Sequence, residues 1–511
     1  MNGSASGGHQ HDGLRGGGPH VVVVGGGLAG LSAAIGLADG GADVTLLERA
    51  ARLGGATWSF SRDGLSYDNG QHVFMRCCTD YRAFLARIGS DRKVTLQDRM
   101  DVPVHRPGGP SSRLRRTAWP TPLHLGSSLA RYRHLSVGAR AGAIRAALAL
   151  RSLDLADPRL DERTFGAWLA DHGVGANSRE PLWDLVVRAT VNLPSSEASL
   201  ALAAKVFRTG LLDTNDGADI GWSNVPLQEL HGDAASRVLD ALGADVRLGC
   251  RVSSVRPTAD GIAVVVDGET LSADAAVVAV PHDAVAALLP VGSFSQQHRV
   301  GDLGRSPIVN VHLRYDRRVL DEPFVAAVGT PIQFAFDRTA SSGAPAAQQV
   351  VAISLSAADE YLAWSKAKLV ERFTAEMARL FPAARRASVV SSMVTREVAA
   401  TFRGIPGTAA LRPGAITDVP GVFLAGAWTD TGWPATMEGA VRSGNAAANT
   451  SRAYLAGRLV RVPGAPPWGP PHSAGERAVP VTIRRSAQRT TGAQQNRGST
   501  AALGPRTAVP R

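Results

Sequence analysis

Gly25, Gly27 and Gly30 keep the spacing G-x-G-x-x-G, with Leu28 and Ala29 between the last two, and an acid, Glu48, follows further on with Arg49 beside it. These residue types at this spacing suit a dinucleotide phosphate and its ribose. Gly25 allows a tight turn. Gly27 has no Cβ, so the backbone can approach a pyrophosphate. Gly30 allows close packing, and Glu48 can accept hydrogen bonds from a ribose diol. The flanking sequence supplies the elements that must position them. Val21 to Val24 reads as a short buried strand, an Ala- and Leu-rich helical pattern follows the glycines, and Asp43 to Leu47 reads as a second strand. The helix N-terminus then offers unpaired N–H groups and a positive dipole end to the phosphates.

Further segments extend this set. In Arg52-Leu53-Gly54-Gly55-Ala56-Thr57 a second glycine pair suggests a loop passing close to the same cofactor. Leu65 to Val73 reads as a strand entering a polar turn, where Gly70, by close backbone approach, and Gln71 are candidate cofactor contacts and Gln71 and His72 can point into a cavity. For His72, a satisfied structural histidine and a chemical role are both open. Near the end, GVFLAGAWTDTGWPATMEGAVRSGNAA reads as a strand (Val422 to Ala425), a break at Gly426, a polar turn at Thr429 to Pro434 and a helix beginning near Ala435. That helix N-terminus is a second positive dipole end, suited to the N1–C2=O edge of an isoalloxazine. Two cofactor-contacting helix starts some 400 residues apart fit a long dinucleotide such as FAD, held by a domain of discontinuous segments. A nicotinamide dinucleotide would require its own second glycine fingerprint.

Composition narrows the class. The chain has 511 residues, enough for two or more domains, and 44% hydrophobic content. No apolar run is long enough to span a bilayer. The three cysteines, Cys77, Cys78 and Cys250, favour neither a disulfide framework nor a metal site, so a reducing cytoplasm is expected. The net charge of +11 is concentrated in the segment 451–511, which holds ten Arg and one Glu; it reads as a disordered, solvated extension, not a nucleic-acid-binding body. Residues 1–19 read as a flexible leader. From Val102 to Leu153 there is no Asp or Glu but nine Arg, and Ser127 to Leu150 has helical spacing with Leu129, Leu135, Ile144 and Leu148 on apolar faces. A membrane-facing basic helix pair and an ordinary solvated face are both open readings. Residues 164–230 look mostly helical, with Asp219-Ile220-Gly221-Trp222 as a turn. A helix at Ala235 to Leu242 and short strands with an Asp267-Gly268 hairpin follow, and then an α+β region with strands Ile308 to Leu313 and Val350 to Leu355 and a helix Lys366 to Leu380.

Together, VVVVGGGLAG, ERAARLGG, YDNGQHV and FLAGAWTDTGWPATMEGAVRSG resemble the FAD-dependent amine oxidase and phytoene desaturase superfamily, and within it the hydroxysqualene dehydroxylases. The resemblance implies an α/β fold: a Rossmann-type, glutathione-reductase-like FAD-binding domain from residues 20–105, 228–290 and 401–450, and an α+β substrate domain from 106–227 and 291–400. It implies that Gly25, Gly27 and Gly30 meet the FAD pyrophosphate, Glu48 the adenosine ribose and the Val252 backbone the adenine. Arg52, Gly54 and Gly55 would lie along the cofactor, with Gly426 and the Thr436–Met437–Glu438 turn at the ribityl chain and flavin. Two positions depart from the superfamily pattern: Ala56 where GGR is common, and Ala427 where Gly-Asp is common, with Asp430 the nearby carboxylate. The implied reaction is reductive dehydroxylation of hydroxysqualene to squalene, with His72, Asp219 and Asp430 as candidate acids for the leaving oxygen. Each also has a structural reading: a core histidine, a turn-forming Asp and a helix-entry cap. A polyprenyl lipid is the implied substrate, with squalene-synthase-like pathway partners and peripheral contact with the inner face of the cell membrane as accompanying expectations. Rival readings are a carotenoid desaturase, a flavin amine oxidase and a degenerate flavin-binding assembly partner. The second is weakened by the four lysines, none between 206 and 365.

Overall fold

The computed structural model describes residues 17–457. Residues 1–16 of the leader expected at 1–19, and residues 458–511 of the tail expected at 451–511, lie outside the described residues. The tail boundary itself is corrected, because the helix Met437–Leu455 continues through residue 451 to Leu455.

Five parallel strands form the first sheet, in the order Asp245–Leu248, Asp43–Glu48, His20–Val24, Ala275–Val278, Val422–Leu424. Val21, Val22 and Val23 are fully buried, as a strand covered on both faces requires. The helix Leu28–Ala38 follows the first strand, and the 19-residue helix Met437–Leu455 follows the last. These two helices pack backbone to backbone. A Cβ on Gly444 would lie 2.2 Å from the Ala29 carbonyl oxygen, so only glycine fits there. Ser32 Oγ donates to Val441 O and Asn445 Oδ1 across the same contact. A small antiparallel meander (Val252–Thr258, Gly261–Val266, Glu269–Ala273) leads back into the first sheet through Ala275–Val278. Its Asp267-Gly268 turn has positive φ at both residues, as the dipeptide predicts.

The second sheet has seven strands, in the order Val389–Thr401, Ser306–Tyr315, Gln349–Ser356, Phe334–Asp337, Phe324–Ala327, Asp101–His105, Ser112–Arg115. Asp101–His105 therefore pairs in this sheet, not in the first. Alternation along Ser306–Tyr315 sorts the side chains. Val309, Val311 and Leu313 pack with Leu369, Phe373 and Met377 of the helix Lys366–Leu380. Ile308, Asn310 and His312 occupy the other face. A three-stranded sheet joins Val73–Met75, Ile220–Ser223 and Val94–Leu96. Its central strand was expected to be a turn. Gly221 read as a break, but it is small because the Phe74 ring lies where a Cβ would be.

Candidate active site

The phosphate-binding end is built almost wholly from backbone. Gly25 N donates to Leu47 O, and Gly27 and Gly54 form an isolated parallel bridge. Gly55 has φ +56°, and a Cβ on it would lie 2.7 Å from Gly27 Cα, so the two glycine loops touch through their backbones. Leu28 and Ala29 are the buried first turn of the helix, and Gly30 packs on the Gly25 carbonyl. Glu48 is held by two backbone donors, Gly26 N at 2.6 Å and Ala50 N at 2.8 Å. Each carboxylate oxygen keeps a second lone pair for a ribose hydroxyl. Val252 begins its strand two residues after Cys250, whose N–H bonds Glu48 O, which sets it at the same end. Arg49 is exposed. Arg52 donates to Gly55 O, and its guanidinium lies 4.0 Å over the Trp58 ring.

The flavin end follows from helix register. Ala29 meets Gly444, Gly36 meets Ala448 and Gly40 meets Arg452, so the two helices run parallel. Met437 starts seven residues before Gly444, so that helix N-terminus projects roughly 10 Å beyond the first one at 1.5 Å per residue. Both N-termini stand at the carboxyl edge of one parallel sheet, where doubly wound folds hold dinucleotides. Gly426 N donates to Ser443 Oγ, and Thr436 Oγ1 caps the helix by accepting from Gly439 N. The Glu438 carboxylate turns away from this end. It accepts from Asp80 N, Tyr81 N and Arg442 Nε and thereby caps the helix Thr79–Arg87, while burial raises its pKa. Only the Glu438 backbone remains to face a cofactor. Arg412 fixes the preceding turn by donating to the carbonyls of Trp428, Thr429 and Trp433, and its burial lowers its pKa to about 10.

An apolar cavity of about 520 Å³ reaches this end. At its inner end lie Gln71, Trp433, Thr436, Met437 and Glu438; its walls include Phe74, Trp183, Phe207, Phe324 and Phe336. Leu123, Ile144 and Leu148 also line it, yet each is at least half exposed, which marks its mouth. That mouth belongs to the segment Leu123–Leu125 and the helices Gly126–Arg131 and Val137–Arg151. Val137 and Trp119 add exposed apolar surface nearby in the chain.

The candidate acids are not brought together. Asp219 is fully buried between Arg76 (2.8 Å) and Arg116 (2.5 Å), and it also accepts from Met100 N. Burial alone would raise its pKa, but the Arg116 and Arg76 hydrogen bonds hold it lowered, so it is an ionised structural hub with no proton to give. Asp430 accepts from Gly432 N and caps a turn. His72 Nδ1 bonds Gly70 O at 3.1 Å, and desolvation keeps the ring neutral. His72 sits between the cavity-lining residues Gln71 and Val73, and Asp219 sits between Ala218 and Ile220 with its carboxylate held by Arg76 and Arg116.

The sequence reading passed over two organising residues. Asn69 accepts from Trp58 N, donates to Ala56 O and Glu397 Oε1, and takes Asn310 Nδ2 and Thr395 Oγ1 on its own carbonyl. It thus ties the Gly70–Gln71 turn to the 56 loop and to two strands of the second sheet. Arg412 is the other. Asn69 stood inside the quoted motif, whereas nothing around Arg412 marked it.

Comparison with known proteins agrees with this geometry. The family model described as flavin containing amine oxidoreductase matches residues 28–450. A hydroxysqualene dehydroxylase of Rhodopseudomonas palustris is 29% identical over 441 residues, covering 84% of this chain and 97% of that protein. A zeta-carotene desaturase of Zea mays is 25% identical, covering 86% and 83%. Among solved structures, cyclohexylamine oxidase from Brevibacterium oxydans superposes with a TM-score of 0.66 at 20% identity, over 86% of this chain and all of that one, which speaks to the fold. The two glycine loops, the paired helix N-termini and the Glu48 carboxylate fit FAD, and the chain belongs to the flavin-containing amine oxidoreductase family, with FAD as its cofactor.

Proposed function

We propose that the protein reductively dehydroxylates hydroxysqualene to squalene. The observation that carries this reading is the apolar cavity running from a half-exposed mouth to the Met437 helix start. Its volume and lining suit a long hydrocarbon chain, and they exclude water from a reacting carbon. Reduced FAD supplies the hydride. The carbon–oxygen bond of the alcohol breaks, the carbon takes the hydride, and the oxygen leaves as water with one added proton. The chain's part is to align the reacting carbon, to keep the cavity dry and to hold the leaving oxygen. His72 is the candidate proton carrier beside the cavity, since Asp219 is held ionised by Arg76 and Arg116; its neutral ring would relay a proton, since it holds none in excess.

The mouth supports a membrane-surface reading. Arg131, Arg133, Arg145 and Arg151 are exposed on or beside the helices that form it, and none has an acidic partner among the described residues. Apolar side chains ringed by cations suit an anionic lipid surface from which the substrate enters. Among the described residues no helix is long and apolar enough to cross a membrane, so such contact would be peripheral.

The test is an anaerobic assay with chemically reduced holoenzyme, offered hydroxysqualene and phytoene in parallel. Squalene from the first substrate alone supports the reading. Product from phytoene alone replaces it with a carotenoid desaturase. A protein that holds no flavin would favour the assembly-partner reading.

A further inference from the structure

The Gly70 turn is fixed from every side, yet it carries one uncommitted group. Asn69 pins its backbone to the 56 loop and to the strands Ser306–Tyr315 and Val389–Thr401. His72 Nδ1 closes the other side on Gly70 O. The Gln71 side chain between them has its Nε2 buried with no partner. Its carboxamide lies between the apolar cavity and a small polar recess lined by Asp68, His312 and Arg338, where Asp68 and Arg338 are already paired at 2.8 Å.

Thr436 and Glu438, the other polar residues at the Met437 helix start, are engaged. Thr436 Oγ1 caps its helix and the Glu438 carboxylate has three donors. An unmet buried amide in an otherwise apolar wall is costly, and a leucine there would carry no such cost. An amide can also present either its N–H or its C=O edge by turning about its last bond. A hydroxyl, which both donates and accepts, is the ligand group that such an amide satisfies.

We propose that the Gln71 carboxamide is a hydroxyl-binding subsite that selects a polyprenyl alcohol over the hydrocarbon of the same length. This rests on the dehydroxylase reading. The amide holds the alcohol oxygen and transfers no proton. A second unpartnered donor, Trp183 Nε1, also borders the cavity, but its ring is clamped between Phe165 and Phe207 in the helical wall.

The experiment titrates oxidised holoenzyme with hydroxysqualene and with squalene, following quenching of the wall tryptophans. Wild type is expected to favour the alcohol by about tenfold. Gln71→Leu and Gln71→Met should each bring that ratio close to one, with flavin absorbance and midpoint potential unchanged. Trp183→Phe, with Trp433 left as the probe, should keep the preference. Persistence of the preference in both Gln71 variants overturns the subsite. So does a shifted flavin potential with the preference intact, because the amide would then serve the flavin. A wild type that does not discriminate, yet converts hydroxysqualene to squalene, removes the subsite and leaves the proposed function standing. Failure of both discrimination and conversion removes the proposed function as well.

Discussion

The cofactor end and the substrate cavity are made of different material. At the cofactor end the contacts are backbone N–H groups, glycine surfaces and one carboxylate, and Glu48 there is already oriented by Gly26 N and Ala50 N. In the cavity the contacts are side chains drawn from separated segments, and polar atoms such as Gln71 Nε2 and Trp183 Nε1 have no protein partner. A backbone site accepts one ligand shape and changes little with side-chain identity. A side-chain site can be retuned one residue at a time. That difference explains how relatives named for amine, carotene and hydroxysqualene chemistry share one fold.

The sharpest way to break the contrast is at the helix contact. Gly444→Val would drive side-chain atoms into the Ala29 carbonyl and separate the two helix N-termini. We expect a loss of at least about 3 kcal/mol and purification without flavin, read by chemical denaturation and absorbance. Retention of full flavin would show that the two N-termini need not be in register.

A smaller effect is expected where the two regions are tied together. Asn69→Ala strips partners from Trp58 N, Ala56 O and Glu397. The expected cost is about 2 kcal/mol, with turnover falling more than flavin content, because the turn carrying Gln71 loosens while the glycine loops stay intact. Equal loss of both would mean that the regions are not separable.

The third effect is on pH. His231 is fully buried against Tyr81, and desolvation depresses its pKa to about 3; His312 is likewise depressed to about 4. The unfolded chain binds protons at these rings from about pH 6.5 downward while the fold refuses them. Their contribution to stability is therefore complete above about pH 6.5 and is lost as pH falls toward 4, by at most about 1.4 kcal/mol per pH unit for each ring. His231→Phe should flatten part of that slope in thermal unfolding.

The smallest effect on folding belongs to the mouth. Ile144→Glu with Leu148→Glu changes half-exposed positions and should leave stability within about 0.5 kcal/mol. Sedimentation with vesicles rich in anionic lipid should nonetheless fall several-fold. Unchanged sedimentation would return these helices to an ordinary solvated face.

The same contrast explains how far the sequence could be read. Glycine spacing is local, so Gly25, Gly27, Gly30 and Glu48 announce a phosphate and ribose site within one βαβ unit. The long C-terminal helix and the helix Lys366–Leu380 were legible for a similar reason, since caps and periodicity lie within the element. Which residues wall the cavity was not, because Phe74, Trp183, Phe324 and Trp433 come to line one space only after three sheets have formed. Asp219 misled because a carboxylate in an Asp-x-Gly turn pattern looks free until Arg76 and Arg116 arrive from distant segments. The strand Ile220–Ser223 was hidden by its length and by Gly221, whose missing side chain is a packing requirement set by Phe74.

The central claim is that one FAD, held by both helix starts, faces a dry lipid cavity. It is tested most directly by single turnover. Photoreduced holoenzyme is mixed anaerobically with one equivalent of hydroxysqualene, and flavin absorbance and products are followed together. The account predicts return of the oxidised flavin spectrum in step with squalene, one for one. A flavin that stays reduced in the presence of hydroxysqualene, in an enzyme whose oxidised form is bleached by phytoene, would contradict it.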